Sequence, residues 1–183
     1  MRKIAVLGKC GAGKDTFSDY LVNTYNFKKI YFAEPLYEIC EKYFGMKSKN
    51  RELLQNVGNA MRGVNPKVFV NILENKIKEL EKDYDIVVSD VRQLNEFQML
   101  EDNGFTFVFI DTSLNNRVQR IELRDNIKIN EEYIERMENN IAETGCNEVL
   151  KNNKDIIFIN NDKNKGKLYD KIKGIINKNT MNA

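Results

Sequence analysis

The chain contains no histidine among its 183 residues. That absence removes Ser–His and Cys–His nucleophilic devices and argues against a conventional zinc centre. Lys, Arg, Asp, Glu and backbone amides are left to carry any chemistry. Cysteine is scarce as well. Cys10, Cys40 and Cys146 are odd in number and widely spaced, which fits neither a disulfide framework nor a CxxC metal site and predicts a reducing, cytoplasmic setting. Long apolar runs are missing: after Met-Arg-Lys only Ile4 to Leu7 precede a glycine, too few for a signal-peptide core or a membrane span. No excess of one charge exists either. With 29 Lys and Arg against 27 Asp and Glu, stable nucleic-acid binding is not expected. Phosphoryl transfer is the reaction class that needs little beyond what remains, since it depends on positioning and charge stabilisation.

What is present is a globular composition, 42% hydrophobic and 31% charged, at a length that suits one domain over 1–183. Short runs rich in β-branched and aromatic residues recur at Lys3 to Leu7, Lys29 to Phe32, Asp85 to Ser89, Thr106 to Ile110 and Asp155 to Ile159. Helical patterns separate them. Such alternation predicts an α/β fold with parallel strands, right-handed crossovers and helices on both faces. Ligands of such sheets sit beyond the carboxyl ends of the strands. Phe17, Leu21 and Tyr25, with Tyr20 beside them, predict an amphipathic helix after the first strand. Further helices are predicted over Glu34 to Phe44, over Arg51 to Met61, and from Pro66 in a first-turn position to Leu80. Residues 34–82 are too many for one crossover and read as an inserted helical flap. A Lys- and Asn-rich tail reads as a last helix with a frayed end.

Gly8-Lys9-Cys10-Gly11-Ala12-Gly13-Lys14 satisfies the pattern G-x-x-x-x-G-K between the first strand and its helix. Glycines let successive N–H groups turn inward around a β-phosphate, Lys14 bridges the β- and γ-phosphates, and the helix N-terminus adds partial positive charge. The hydroxyl residue usual after that lysine is Asp15, followed by Thr16. A carboxylate is also a hard oxygen ligand for magnesium, and Thr16 is then available to the α-phosphate; the sequence leaves both assignments open.

Unusual residues cluster at the other strand ends. Ile86 to Ser89 runs into Asp90, a Walker-B-like acid for magnesium or, alternatively, a helix cap. Arg92 follows it, placed for an acceptor phosphate or for an ion pair with Glu96. Arg117, Arg120 and Arg124 fall in one sector of a helix after the fourth strand, in a region of about 115–145 that reads as a lid. Arginines there can close over a phosphoryl transition state, or can form a solvated basic face partnered by Glu122 and Asp125. In the flap, Arg62 beside a glycine and a turn is a second phosphate candidate, and Glu34 and Gln55 are candidates for a base or sugar.

Together these pieces resemble the deoxynucleoside monophosphate kinase family of phages and bacteria. The resemblance rests on Gly13-Lys14-Asp15-Thr16, Phe32-Ala33-Glu34-Pro35-Leu36, the Leu-Leu-Gln segment leading to Arg62 and Asn65-Pro66, Asp90-Val91-Arg92 with Asn95-Glu96, and Ile159-Asn160-Asn161-Asp162. It implies a P-loop NTPase three-layer fold with a five-stranded parallel sheet, ATP and Mg²⁺ as donor, and a (deoxy)nucleoside monophosphate as acceptor, in a monomer or homodimer. By position it implies Arg62 and Arg92 on the acceptor phosphate, Glu34 and Gln55 nearer the nucleoside, Arg120 and Arg124 as lid arginines, and Asn161 near the adenine. It also makes Asp15 an accepted form of the loop. The sequence departs from the family at Glu34, where a shorter Asp is expected, at Asn65, where an Asp often precedes the proline, and over Glu138 to Cys146, which lacks a histidine-containing pattern. Two rival readings remain at this stage: a kinase of another phosphorylated metabolite, and a nucleotide-dependent switch.

Overall fold

The computed structural model describes residues 1–139, Leu150 and 155–181. Its framework is a five-stranded, all-parallel sheet in the order β2-β3-β1-β4-β5. The strands are β1 (Lys3–Leu7), β2 (Lys28–Ile30), β3 (Ile86–Val88), β4 (Thr106–Asp111) and β5 (Ile157–Asn160). The helices are α1 (Lys14–Tyr25), α2 (Glu34–Phe44), α3 (Arg51–Val64), α4 (Val68–Leu80), α5 (Leu94–Asp102), α6 (Leu114–Asp125), α7 (Glu131–Glu138) and, last, α8 (Lys165–Met181). Both faces of a parallel sheet are covered, so its strands read as continuous apolar runs, and alternate residues serve opposite cores. Along β1, Ala5 and Leu7 enter one core with Leu73 and Ile77 of α4 and Phe97 and Leu100 of α5. Ile4 and Val6 enter the other with Phe17 and Leu21 of α1 and Leu168 and Ile172 of α8. Burying each of these side chains larger than alanine contributes about 1.5–3 kcal/mol.

The element boundaries differ from the sequence expectation at informative places. The second strand stops at Ile30 rather than Phe32, because the amides of Phe32 and Ala33 donate to Asp90 instead of to a ladder partner. The last strand is Ile157–Asn160, starting later than Asp155. The fourth helix begins at Val68, not at Pro66. Asn65 bends the chain first: its side-chain oxygen accepts from Lys67 N at 2.9 Å, and its carbonyl accepts from Val68 N. The third helix continues past Met61 to Val64. Between β2 and β3 the helices α2, α3 and α4 fill the stretch read as an insertion, with α2 packed on α3.

Candidate active site

The loop from Gly8 to Gly13 joins β1 to α1, in the middle of the carboxyl edge of the sheet. Gly11 and Gly13 have left-handed φ values of 79° and 104°, which favour glycine. Space demands it as well. A Cβ on Gly11 would lie 2.8 Å from the Arg117 carbonyl, and one on Gly13 would lie 2.5 Å from the Asn161 amide. The Lys14 ammonium folds back on the loop and donates to the carbonyls of Gly8 at 2.6 Å and Lys9 at 3.1 Å.

Side chains from three other elements grip the outside of this loop. The Ala12 carbonyl accepts from Thr112 Oγ1 at 3.0 Å, from Asn161 Nδ2 at 2.8 Å and from Arg120 at 3.3 Å. Arg120 also donates to the Asn161 carbonyl at 2.6 Å. The guanidinium of buried Arg117 donates to the Thr112 carbonyl at 3.2 Å, reaches the Cys10 carbonyl at 3.5 Å and pairs with Glu138 at 2.8 Å. Glu138 takes Lys9 as well, and these two cations hold its carboxyl below the usual range against the cost of burial. Asp162 ties the loop after β5 to the start of α6 by accepting from Ser113 N, Asn116 and Asn160, and those donors depress its pKa.

Beyond the neighbouring strand, Asp90 lies just past β3 and spends both carboxylate oxygens on the amides of Phe32 and Ala33, at 3.0 and 2.9 Å. It thereby pins the entry to α2. Glu96, 3% exposed in α5, turns back so that one oxygen accepts from the amides of Arg92 and Gln93. Burial pushes the Glu96 carboxyl up to about 7, with the neighbouring Asp90 charge adding to it and the backbone amides and Arg62 opposing it. Burial raises Asp90 too, against the amides of Ala33 and Phe32 and the charge of Arg92. The Arg92 charge acts on Asp90 and the Arg62 charge on Glu96, and the Arg62 guanidinium lies 4.7 Å over the Phe69 ring. Glu34 pairs with Lys76 of α4 at 2.5 Å, and Gln55 lies exposed on α3.

The remaining candidates stand on the rim. Asp15 is 77% exposed and pairs with Lys29 at 3.1 Å. Thr16 and Cys10 are half-buried. Arg124 pairs with Asp125 at 2.7 Å and also reaches Cys10. Of the arginine trio, then, Arg117 and Arg120 bond loop carbonyls, while half-exposed Arg124 pairs with Asp125 and touches the loop at Cys10. The segment after Glu138 that departs from the resembled family, the far part of the lid region, and Cys146 fall mostly or wholly outside the described residues.

A family model described as an AAA domain matches residues 4–144, well over half of the chain. The chain belongs to the AAA-domain family. No curated protein is significantly similar to it in sequence. Among solved structures it resembles TT1252 from Thermus thermophilus, at 17% identity and TM-score 0.63 with 97% of each chain covered. It resembles the shikimate kinase from Acinetobacter baumannii in complex with shikimate, at 16% identity and TM-score 0.65 over 98% of this chain and 94% of that one. A gluconokinase from Sinorhizobium meliloti 1021 matches at 14% identity and TM-score 0.57, over 93% of this chain and 89% of that one. At such identities the likeness establishes the fold, that of the α/β P-loop NTPases.

In this AAA-domain chain the cradle suits a polyphosphate: left-handed glycines, a lysine folded over the loop and a helix N-terminus occur in one place. Among the described residues no cluster of three or more His, Cys, Asp or Glu can hold a metal ion. The oxygen donors at the start of α1, Asp15 and Thr16, suit a hard cation that brings phosphate oxygens with it, whereas Asp90, expected as a magnesium ligand, has both carboxylate oxygens on the Phe32 and Ala33 amides. Sequence reasoning missed Thr112, the bracing role of Arg117, Lys76 and the clamp formed by Glu96. Thr112 carries no motif, and Glu96 was visible only as a possible partner for Arg92. No helix among the described residues is long and apolar enough to cross a membrane.

Proposed function

We propose that this protein transfers the γ-phosphoryl group of ATP to the phosphate of a (deoxy)nucleoside monophosphate, yielding ADP and a diphosphate. The observation that carries this reading is the fate of the acceptor-side carboxylates. Asp90 is spent on the amides of Phe32 and Ala33, Glu96 on those of Arg92 and Gln93, and Glu34 on Lys76. A hydroxyl acceptor needs a general base, and these groups are committed elsewhere. An acceptor phosphate needs none, since its oxygen is already ionised near neutrality with a second pKa of about 6. Arg62 and Arg92, whose charges act on the Glu96 and Asp90 carboxyls, are the cations that such a dianion calls for. The resemblance described above narrows the acceptor to a deoxynucleotide, with Glu34 and Gln55 toward its nucleoside.

In this reading the Gly8–Gly13 amides and Lys14 bind the triphosphate, and Lys14 stabilises charge moving onto the β–γ bridge. Arg124, about half exposed, neutralises the transferring oxygens, whereas Arg120, taken up by the Ala12 and Asn161 carbonyls on the outside of the loop, braces the seat. Thr16 takes the α-phosphate, Cys10 lines the loop, and Asn161 borders the adenine. Asp15 would hold magnesium together with the nucleotide, and the ion would supply charge neutralisation at the phosphates; Asp90 is taken by the Phe32 and Ala33 amides. A coupled ADP-release assay across dAMP, dCMP, dGMP, dTMP and simple phosphorylated metabolites tests the proposal. The expected result is turnover that depends on one or more of the deoxynucleotides. Turnover with only a non-nucleotide phosphate, or ATP hydrolysis indifferent to every monophosphate, overturns it.

A further inference from the structure

The outside of the phosphate loop carries an inference that goes beyond the assignment of Lys14 and the glycines. Every peptide bond in the described chain is trans, so the C=O and N–H of one peptide unit point in opposite directions. The carbonyl of Ala12 shares its plane with the amide of Gly13, and the carbonyl of Cys10 shares its plane with the amide of Gly11. Both carbonyls are engaged from outside the loop, Ala12 by Thr112, Asn161 and Arg120, and Cys10 by Arg117. The two amides therefore face away from the clamping side chains, and neither has a protein acceptor among the described residues. Thr112 is the hub of this frame. It is 6% exposed, its hydroxyl donates to Ala12 and its own carbonyl accepts from Arg117.

We propose that Thr112 is a positioning residue: by holding the Ala12 carbonyl outward through its hydroxyl, it aims the Gly13 amide at the bound triphosphate. It touches no nucleotide atom in this account and acts through the peptide plane alone. The inference rests on the assignment of the loop as a triphosphate seat. Glycine makes the device necessary. A residue that populates both signs of φ about equally has little intrinsic preference for one peptide orientation, so the direction of its amide has to be imposed by neighbours. Asn161 and Arg120 share the carbonyl, so loss of one donor weakens the seat without abolishing it.

The test compares the parent with Thr112→Val, which keeps the shape and loses the donor, and Thr112→Ser, which keeps the donor. Binding of the β,γ-imido analogue of ATP and of inorganic triphosphate is measured with magnesium present, together with the ligand-free melting temperature. Thr112→Val is expected to weaken both ligands by about fivefold, the scale of one neutral hydrogen bond, and Thr112→Ser to return to within about twofold of the parent. Equal loss on both ligands locates the effect at the phosphates rather than at the base. Parental affinity in Thr112→Val overturns the proposal, as does a serine variant as weak as the valine one. Should Thr112→Val fold poorly, Thr112→Ala against Thr112→Ser provides the same comparison in a smaller side chain. If the parent binds neither ligand, the triphosphate seat itself is refuted, a different outcome from a parent that binds and a valine variant that binds equally well.

Discussion

Two charged side chains in this molecule have environments that set their behaviour in opposite ways. Lys14 keeps its ammonium on the carbonyls of the loop it is meant to complete. Replacing it should leave the fold intact, since it belongs to neither core. Lys14→Ala is expected to give a native circular dichroism spectrum with phosphotransfer reduced by orders of magnitude, and near-parental turnover would exclude the loop as the catalytic element. Glu96 is the opposite case, a carboxyl inside the protein whose pKa rises from 4.5 to about 7. The folded state then binds a proton that the unfolded state has released between those values. Stability falls as pH rises through that window, by up to about 3 kcal/mol. Asp90, raised for the same reason, adds to the same trend. Glu96→Gln should flatten the decline in urea midpoint between pH 5 and 8; an unchanged slope would show that the group does not titrate there.

Among the elements, the junction of β2, α2 and β3 depends on one side chain. Asp90 supplies the acceptors for two amides that lie beyond the end of β2. Asp90→Ala leaves both without an acceptor and is expected to cost roughly 2–4 kcal/mol, read in chemical denaturation. The same change should raise the KM for the acceptor, because α2 carries Glu34 and packs on α3, which carries Arg62. A destabilised variant with a parental acceptor KM would separate this junction from the acceptor site. The phosphate loop was legible as a string because its requirements are local: glycines at left-handed positions and a lysine one residue into a helix. Helical spacing grouped Arg117 with Arg120 and Arg124, but spacing gives only an angle about the helix axis. What lies opposite that angle, the carbonyls of Cys10 and Thr112, is decided by neighbouring strands.

For the whole molecule, a ligand that binds the folded chain alone stabilises it by mass action. Saturation to 100 times Kd is worth about 2.7 kcal/mol, or about 5–10 °C in melting temperature at this chain length. The β,γ-imido analogue with magnesium should produce such a shift in differential scanning fluorimetry, and a deoxynucleoside monophosphate a smaller one. No shift with any nucleotide would refute the phosphate seat.

The alternation of apolar runs with helical stretches was enough to announce a parallel sheet covered on both faces, because each strand and helix must bury a face that its own periodicity reveals. The cradle at the end of β1 was announced in the same way, from residues adjacent in the chain. The partnerships of Asp90 with Phe32 and Ala33, of Arg117 with the loop and Glu138, of Glu34 with Lys76, and of Thr112 with Ala12 were not. They join residues from 21 to 107 positions apart, and those of Asp90, Thr112 and Arg117 with distant segments need the strand order that places β3 and β4 on either side of β1. Local periodicity records which face of an element is apolar; which polar groups then meet across elements depends on strand order and register, and no short stretch of chain encodes those.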